Sequence, residues 1–254
     1  MKAVVKRRLG KWYATVCYAV DAEAVQPVDN GLAIGIDMNV GQVATSTGDI
    51  LRMLDVSRLE ARRRRYQRRM ARQCKGSKRR AITRHRAAKT AHRIACIRHN
   101  WHHHASRLIA DTAGLVVIEN LKTKGMTRSA KGTADNPGSK VRQKAGLNRA
   151  ILSTGWSELR AMLDYKAARV EAVHPAYTSQ TCNSCGTIDK ANRTTQANFK
   201  CVHCGHTGNA DVNAALNVLA SGTGAAGRRG ASVLLGRSHD PSIDIMDGKE
   251  NPRV

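Results

Sequence analysis

Residues 31–53 read GLAIGIDMNVGQVATSTGDILRM. Three short runs, 32–37, 42–46 and 50–53, are separated by Asn39-Val40-Gly41 and Thr47-Gly48-Asp49. Connections this short join antiparallel neighbours, so the three runs form a meander. The first run is apolar almost throughout, as a strand at the centre of a sheet must be. It nevertheless ends in a carboxylate, Asp37, which is costly there unless it meets a cation or a donor. A second buried-type strand, LVVIE at 115–119, also ends in an acid, Glu119, and a further strand is read at 169–173. With helical periods between these strands, the fold class is α/β.

Residues 182–219 carry a different signal. CNSC is followed by fifteen residues, 186–200, and then by CVHC. Two CxxC knuckles at this separation place Cys182, Cys185, Cys201 and Cys204 as the ligands of a structural zinc. A helix follows directly, with Asn209 as its cap and Val212, Ala215, Leu216 and Leu219 as its buried stripe. Asp211 sits beside that stripe in the first turn, near Ala215 and Val218. The sequence thus couples a metal to the placement of a third carboxylate.

Composition bounds the partners. Lys and Arg number 43 against 19 Asp and Glu, a net charge of +24. Such an excess points to a polyanion, most simply nucleic acid. The charge concentrates in residues 58–107, where eighteen Lys and Arg face the single Glu60. Gly76-Ser77 divides that segment into two helices. Like charges one turn apart destabilise an isolated helix, so the hairpin relies on packing or on a bound polyanion. Arg62, Arg65, Arg69, Arg79 and Arg80 are candidates to hold phosphates, for which the guanidinium fork is suited. Three consecutive histidines, His102 to His104, cannot share one helix face, which argues against a metal site there. CxxC pairs together with the three unpaired cysteines Cys17, Cys74 and Cys96, and a start without a leader, imply a reduced, cytoplasmic setting. No apolar run approaches the roughly 20 residues that span a bilayer.

The remaining segments are simpler. Residues 3–5 and 12–20 read as a β-hairpin. Residues 121–146 form a basic, Gly- and Ser-rich loop of about 25 residues, long enough to suspect a functional cover. Leu152, Trp156, Leu159, Met162 and Leu163 lie on one core-facing helical stripe. The segment after Gly222 reads as a flexible tail.

Asp37, Glu119 and Asp211 stand out in so basic a chain. Carboxylates gathered from two strand ends and a helix start make a site for divalent cations of the magnesium type, which serve phosphodiester hydrolysis in pairs.

The order of GIDMNVGQVAT, the Arg/Lys hairpin, LVVIENLKTKGM and HPAYTSQTCNSCG…CVHCGHTGNADVNAALNVL resembles the TnpB (OrfB) proteins of bacterial insertion sequences, which are relatives of type V CRISPR effectors. The resemblance runs over roughly residues 1–222. It implies a RuvC-like, RNase H-type nuclease fold with a basic helical hairpin insertion and a four-cysteine zinc ribbon. It also implies catalytic Asp37, Glu119 and Asp211 holding Mg2+ or Mn2+, and structural Zn2+ on the four cysteines. The implied activity is RNA-guided DNA endonuclease, often named transposase, with guide RNA and target DNA as partners. On this reading residues 1–30 are the remnant of a longer N-terminal region. RuvC-like parts would occupy 31–57, 108–181 and 206–222, interrupted by the basic hairpin at 58–107 and the ribbon at 182–205, with a tail at 223–254. Three other readings remain: a nucleic-acid-binding protein that does not cut, a strand-joining transposase, and a basic zinc scaffold without chemistry.

Overall fold

The computed structural model describes residues 1–21 and 26–224. The chain opens with β1 (Lys2–Arg8) and β2 (Lys11–Cys17), followed by β3 (Ala33–Asn39), β4 (Gln42–Thr45) and β5 (Ile50–Arg52). Two helices come next, α1 (Ser57–Ala71) and α2 (Lys78–Thr112), and then β6 (Leu115–Glu119). The short α3 (Thr123–Met126), α4 (Val141–Thr154) and α5 (Trp156–Lys166) lead to β7 (Arg169–Val173). A small ribbon holds β8 (Asn198–Lys200) and β9 (Thr207–Asn209), and α6 (Ala210–Gly222) closes the described chain.

The central sheet has the order β5-β4-β3-β6-β7. β3, β4 and β5 pair antiparallel, as their short connections require. β6 runs parallel to both β3 and β7. Parallel neighbours need a crossover, which α1 and α2 supply between β5 and β6, and α3 to α5 between β6 and β7.

Alternation along the central strands sorts their side chains between two faces. Ile34, Ile36, Val116 and Ile118 turn to one side, where they meet Trp101, Ala105 and Ile109 of α2 and Trp156, Leu159 and Leu163 of α5. Full burial of each large aliphatic side chain here contributes about 1.5–3 kcal/mol. The other face is covered by α6, with Val117, Val173 and Val218 at the contact. Gly35 permits that approach, since a Cβ on it would lie 2.3 Å from Ala215 O and 2.7 Å from Leu219 Cβ.

α1 and α2 form an antiparallel hairpin. Arg98 of α2 binds Glu60 near the start of α1 at 2.6 Å, and Arg80 reaches the carbonyls of Met70 and Gln73 at its end. Ser77 caps α2, its Oγ accepting from Arg80 N at 3.2 Å. α2 runs past residue 107 to Thr112, so one helix carries both the basic arm and the core-facing stripe. β1 and β2 form the hairpin read in the sequence, with its second strand ending at Cys17, and every residue of its two strands is exposed.

Three expectations need correction. The helical stripe through residues 152–163 belongs to two helices. Gly155, at φ +73°, separates α4 from α5, and a Cβ there would lie 2.6 Å from the His102 ring. Leu152 is consequently exposed rather than core-facing. The loop read at 121–146 contains α3 and the start of α4. On α6 the most buried residues are Ala210, Asp211, Asn213, Ala214, Ala215 and Val218, so the buried stripe is rotated and includes Asp211 itself. The tail expected after Gly222 lies, from residue 225 onward, outside the described residues.

Candidate active site and metal centre

β3 and β6 are in register at Ile36 and Ile118, which makes Asp37 and Glu119 the next residues of two adjacent parallel strands. Asp37 shares a face with Gly35, and Glu119 shares a face with Val117, because side chains two apart point the same way. Gly35 and Val117 both face α6. Gly35 lies against Ala215, and Asp211 stands one helical turn before it. The three carboxylates therefore gather at one end of the sheet, on its α6 side. All three are buried, at 7%, 7% and 4% exposure for Asp37, Glu119 and Asp211.

Each carboxylate has an assigned donor. Asn39 Nδ2 donates to Asp37 Oδ2 at 2.6 Å, and Thr178 Oγ1 donates to Glu119 Oε1 at 2.7 Å. Gln42 Nε2 donates to Asp211 Oδ2 at 2.8 Å, while Arg193 Nη2 donates to Oδ1 at 3.0 Å. Burial, then the charges of Glu119 and Asp211, push Asp37 up to about 7, against the lowering effects of Asn39 and Arg193. Burial also raises Glu119, opposed by the Thr178 hydrogen bond. Acids crowded so that two of them disfavour the ionisation of Asp37, with one Arg beside them, are short of positive charge. That deficit and the all-oxygen donor set fit hard divalent cations. The oxygens are not drawn as close as the cysteine sulfurs, which alone among the described residues all lie within 4.8 Å of one another.

Those sulfurs belong to Cys182, Cys185, Cys201 and Cys204. Cys182 Sγ lies 3.7 Å from Cys204 Sγ, and Cys185 Sγ lies 3.6 Å from Cys201 Sγ. Disulfides would bring each pair to about 2.05 Å. A tetrahedral ion with bonds of about 2.3 Å has edges of about 3.8 Å, which matches. Burial pushes Cys182 up to about 12, while the side-chain and backbone donors of Thr187 bring Cys185 down to about 5. Four sulfurs within 4.8 Å of one another, at separations near a tetrahedral edge, fit a metal.

Ribbon and α6 are joined by asparagines. Asn209 Oδ1 accepts from Asp211 N and Val212 N at 2.9 and 3.1 Å, capping the helix. Asn213 Oδ1 accepts from Asn183 N beside the first knuckle at 3.0 Å, and its Nδ2 donates to Thr181 O at 2.8 Å. Asn217 Nδ2 donates to Thr178 O and Thr181 O at 2.8 and 2.7 Å. Ala210 completes the ribbon core with Cys182, Phe199 and Cys201.

Residues 15–130 match the OrfB_IS605 family, described as a probable transposase, and residues 156–218 match the Cas12f1-like TNB domain. The chain belongs to the TnpB (OrfB) family. A relative named "Putative RNA-guided DNA endonuclease InsQ", from Escherichia coli strain K12, is 38% identical over 225 residues, covering 86% of this chain and 56% of that protein. A relative of similar designation from Streptomyces pristinaespiralis is 31% identical over 229 residues, covering 87% of this chain and 52% of that one. The chain thus spans about half the length of these relatives. Among solved structures, that of a Cas12f1–sgRNA–target DNA complex aligns with a TM-score of 0.47 at 21% identity, over 85% of this chain and 55% of that one.

In this TnpB-family chain the candidate arginines have different surroundings. Arg62, Arg65 and Arg69 form an exposed stripe on α1, and Arg79 is exposed at the start of α2. Arg80 instead holds the last carbonyls of α1, so its guanidinium is committed to the hairpin. The three histidines point apart, as their spacing requires. His102 is buried, with Nε2 2.7 Å from Thr154 O and Nδ1 3.1 Å from Glu158 Oε2, while His104 is exposed. Arg193, Gln42, Thr178, Asn213 and Asn217 were not legible as site residues. Four of them lie within the stretches quoted above, but no spacing marks their roles, and each is tied to the acids or the ribbon by tertiary contact. Among the described residues no helix is long and apolar enough to cross a membrane.

Proposed function

We propose that the chain is an RNA-guided DNA endonuclease of the TnpB type, hydrolysing phosphodiesters at Asp37, Glu119 and Asp211. The observation that carries this is the gathering of three buried carboxylates at the ends of β3 and β6 and the start of α6, with Asp37 pushed up to about 7. The sheet order, antiparallel through β5, β4 and β3 and parallel through β3, β6 and β7, supports a RuvC-like, RNase H-type fold. The α1–α2 hairpin and the ribbon are then insertions within it. The names of the relatives point to guide RNA and DNA as partners.

Asp37, Glu119 and Asp211 would hold Mg2+ or Mn2+, which when bound supply charge stabilisation at the phosphate and activation of the attacking water. The protein's own part is to fix the acceptors. Asn39, Thr178 and Gln42 each orient one carboxylate by a hydrogen bond. Arg193 brings a cation from the ribbon to the acids, where it offsets their repulsion and can stabilise negative charge on a scissile phosphate. The four cysteines would hold Zn2+ in a structural role, since four protein ligands leave no position for water.

The test is magnesium-dependent cleavage of labelled DNA by protein purified with RNA transcribed from its own locus, beside an Asp37→Ala control. Cleavage present in the wild type and lost in the variant is expected. Equal binding with no cleavage by either would overturn the reading in favour of a binding protein.

A further inference from the structure

A cleft of about 790 Å3 opens between α1, α2 and α4, on the side of the sheet opposite the carboxylates. Its α1 wall carries Glu60, Arg63, Arg64 and Gln67, the floor includes Arg98 of α2, and the α4 wall carries Arg149 among the small residues Gly146, Ala150 and Ser153. The α1 wall lies about half a turn around the helix from the Arg62, Arg65 and Arg69 stripe, at about 100° per residue. It is a second basic surface, separate from the one read in the sequence.

We propose that this cleft grips the phosphate backbone of a bound nucleic acid. Four guanidiniums face one carboxylate, and that carboxylate is already engaged. Glu60 binds Arg98 at 2.6 Å and Arg64 at 3.7 Å, which orients them into the cleft wall. Arg63 and Arg149 have no ion-pair partner among the described residues. Arg149 Nε donates to Ala145 O at 3.3 Å, a contact within its own helix. Like charges gathered around one concave surface raise the energy of the free protein, and an anion lying between them relieves it. Guanidinium forks match phosphate oxygens in geometry.

The lining selects backbone rather than bases. It contains no aromatic ring on which a base would stack, and its single amide, Gln67, stands among four guanidiniums. That balance favours contact with phosphates over reading of bases. A small free anion would need one compact nest of donors, whereas these arginines are distributed along separate helices, as successive phosphates are along a strand. α4 also fixes where the grip stands. Its last residue, Thr154, accepts from Gly41 N at 3.3 Å through Oγ1, and Trp156 Nε1 donates to Asn39 O at 3.1 Å. Both contacts are to the turn just beyond Asp37, so the cleft lies at the carboxylate end of the sheet. Core packing of Ile151 puts α4 with the α2 and α5 layer, on the face opposite the acids. The grip thus holds nucleic acid near the site without entering it.

Gly146 gives a clean test, because a Cβ there would meet nothing within 4 Å and most other residues improve helix propensity. Gly146→Glu places a negative charge in the cleft from a position where the added Cβ meets no neighbour. Arg142→Ala, exposed elsewhere on α4, removes the same unit of charge outside it. Binding of the full chain to a labelled hairpin RNA and to a labelled DNA duplex is measured by anisotropy in EDTA, so that hydrolysis plays no part, across a salt series. Gly146→Glu is expected to weaken at least one of the two several-fold, and Arg142→Ala to weaken neither appreciably. Arg63→Ala with Arg149→Ala is expected to lower the slope of log Kd against log salt by about 2, about one for each phosphate no longer held. An effect on RNA alone, or on DNA alone, supports the grip and identifies which strand source occupies the cleft. Unchanged affinity and slope for both nucleic acids, with the variants folded by circular dichroism, would overturn the proposal. Cleavage is scored separately, so loss of the nuclease reading leaves this result standing.

Discussion

Arg193 Nη2 lies 3.0 Å from Asp211 Oδ1, and it reaches there from the segment between the two cysteine knuckles. The ribbon therefore does more than cap the fold: it delivers the one cation that, among the described residues, pairs with the buried acids. The 3₁₀ turn at Lys190–Asn192 sets the approach, with Asn192 Nδ2 donating to Gln180 O and Thr187 O at 2.9 and 3.1 Å.

Removing that guanidinium should be felt twice. Arg193→Ala leaves the Asp211 carboxylate without its charged partner and is expected to lower unfolding stability by about 2 kcal/mol. If Arg193 also stabilises phosphate charge, cleavage should fall about 100-fold with nucleic-acid binding retained. Urea unfolding and single-turnover cleavage read the two effects separately. A stability loss with unchanged cleavage would confine Arg193 to a positioning role.

Asp37 sets a pH dependence with a definite sign. Its carboxyl is raised from 3.8 to about 7 in the fold, so the native chain keeps a proton that the unfolded chain releases between those values. The contribution to stability is intact below 3.8 and is lost as pH rises through 7, by up to ~4 kcal/mol. In EDTA, unfolding at pH 5 and pH 8 should show this loss in the wild type and much less of it in Asp37→Asn. Added Mg2+ should recover more stability at pH 8 than at pH 5. Identical pH profiles for the two proteins would contradict the assignment of burial and neighbouring charge as the cause.

Gly35 spaces β3 from α6. Gly35→Ala would drive a methyl group to 2.3 Å from Ala215 O, forcing the helix away from the strand. The expected cost is about 1–3 kcal/mol, typical of an overpacked core. Because the same contact sets Asp37 against Asp211, cleavage should fall more steeply than nucleic-acid affinity. Full cleavage in Gly35→Ala would show that the acids tolerate a shift of α6.

Metal in the ribbon should be countable and structural. The chain as purified is expected to carry about one zinc, and none after Cys204→Ser with chelation. Losing the ion frees the knuckle that Asn213 grips, so proteolysis should reach the start of α6 faster. Cleavage should fall with it even though no carboxylate was changed. Retained activity after zinc removal would break the proposed coupling between ribbon and Asp211.

Much of this was legible in the chain. The meander at 31–53 was readable because tight turns admit only antiparallel pairing, and the register of β3 and β4 agrees. The four-cysteine set was readable because its ligands come in local pairs. Asp37 and Glu119 announced themselves as charges at the ends of apolar strands. Helix boundaries in 141–166 were not readable, since Leu152 and Trp156 satisfy one helical period although Gly155 turns the chain between them. Nor was the division of the basic α1 surface into two sides, because arginine occupies so many positions that periodicity carries no information there.

By itself, then, the sequence determined the class of elements, the two cysteine pairs, the acids at two strand ends and the excess of positive charge. Each rests on spacing within a few residues or on composition, and such signals survive without knowledge of the fold. Tertiary structure alone decided which residues meet: Arg193 with Asp211, Thr178 with Glu119, and Asn213 with the first knuckle. It also decided that Arg80 serves the hairpin while Arg63 and Arg149 line a cleft. Long-range contacts of this kind depend on how α6, the ribbon and α4 settle on the sheet, and no local pattern encodes that packing.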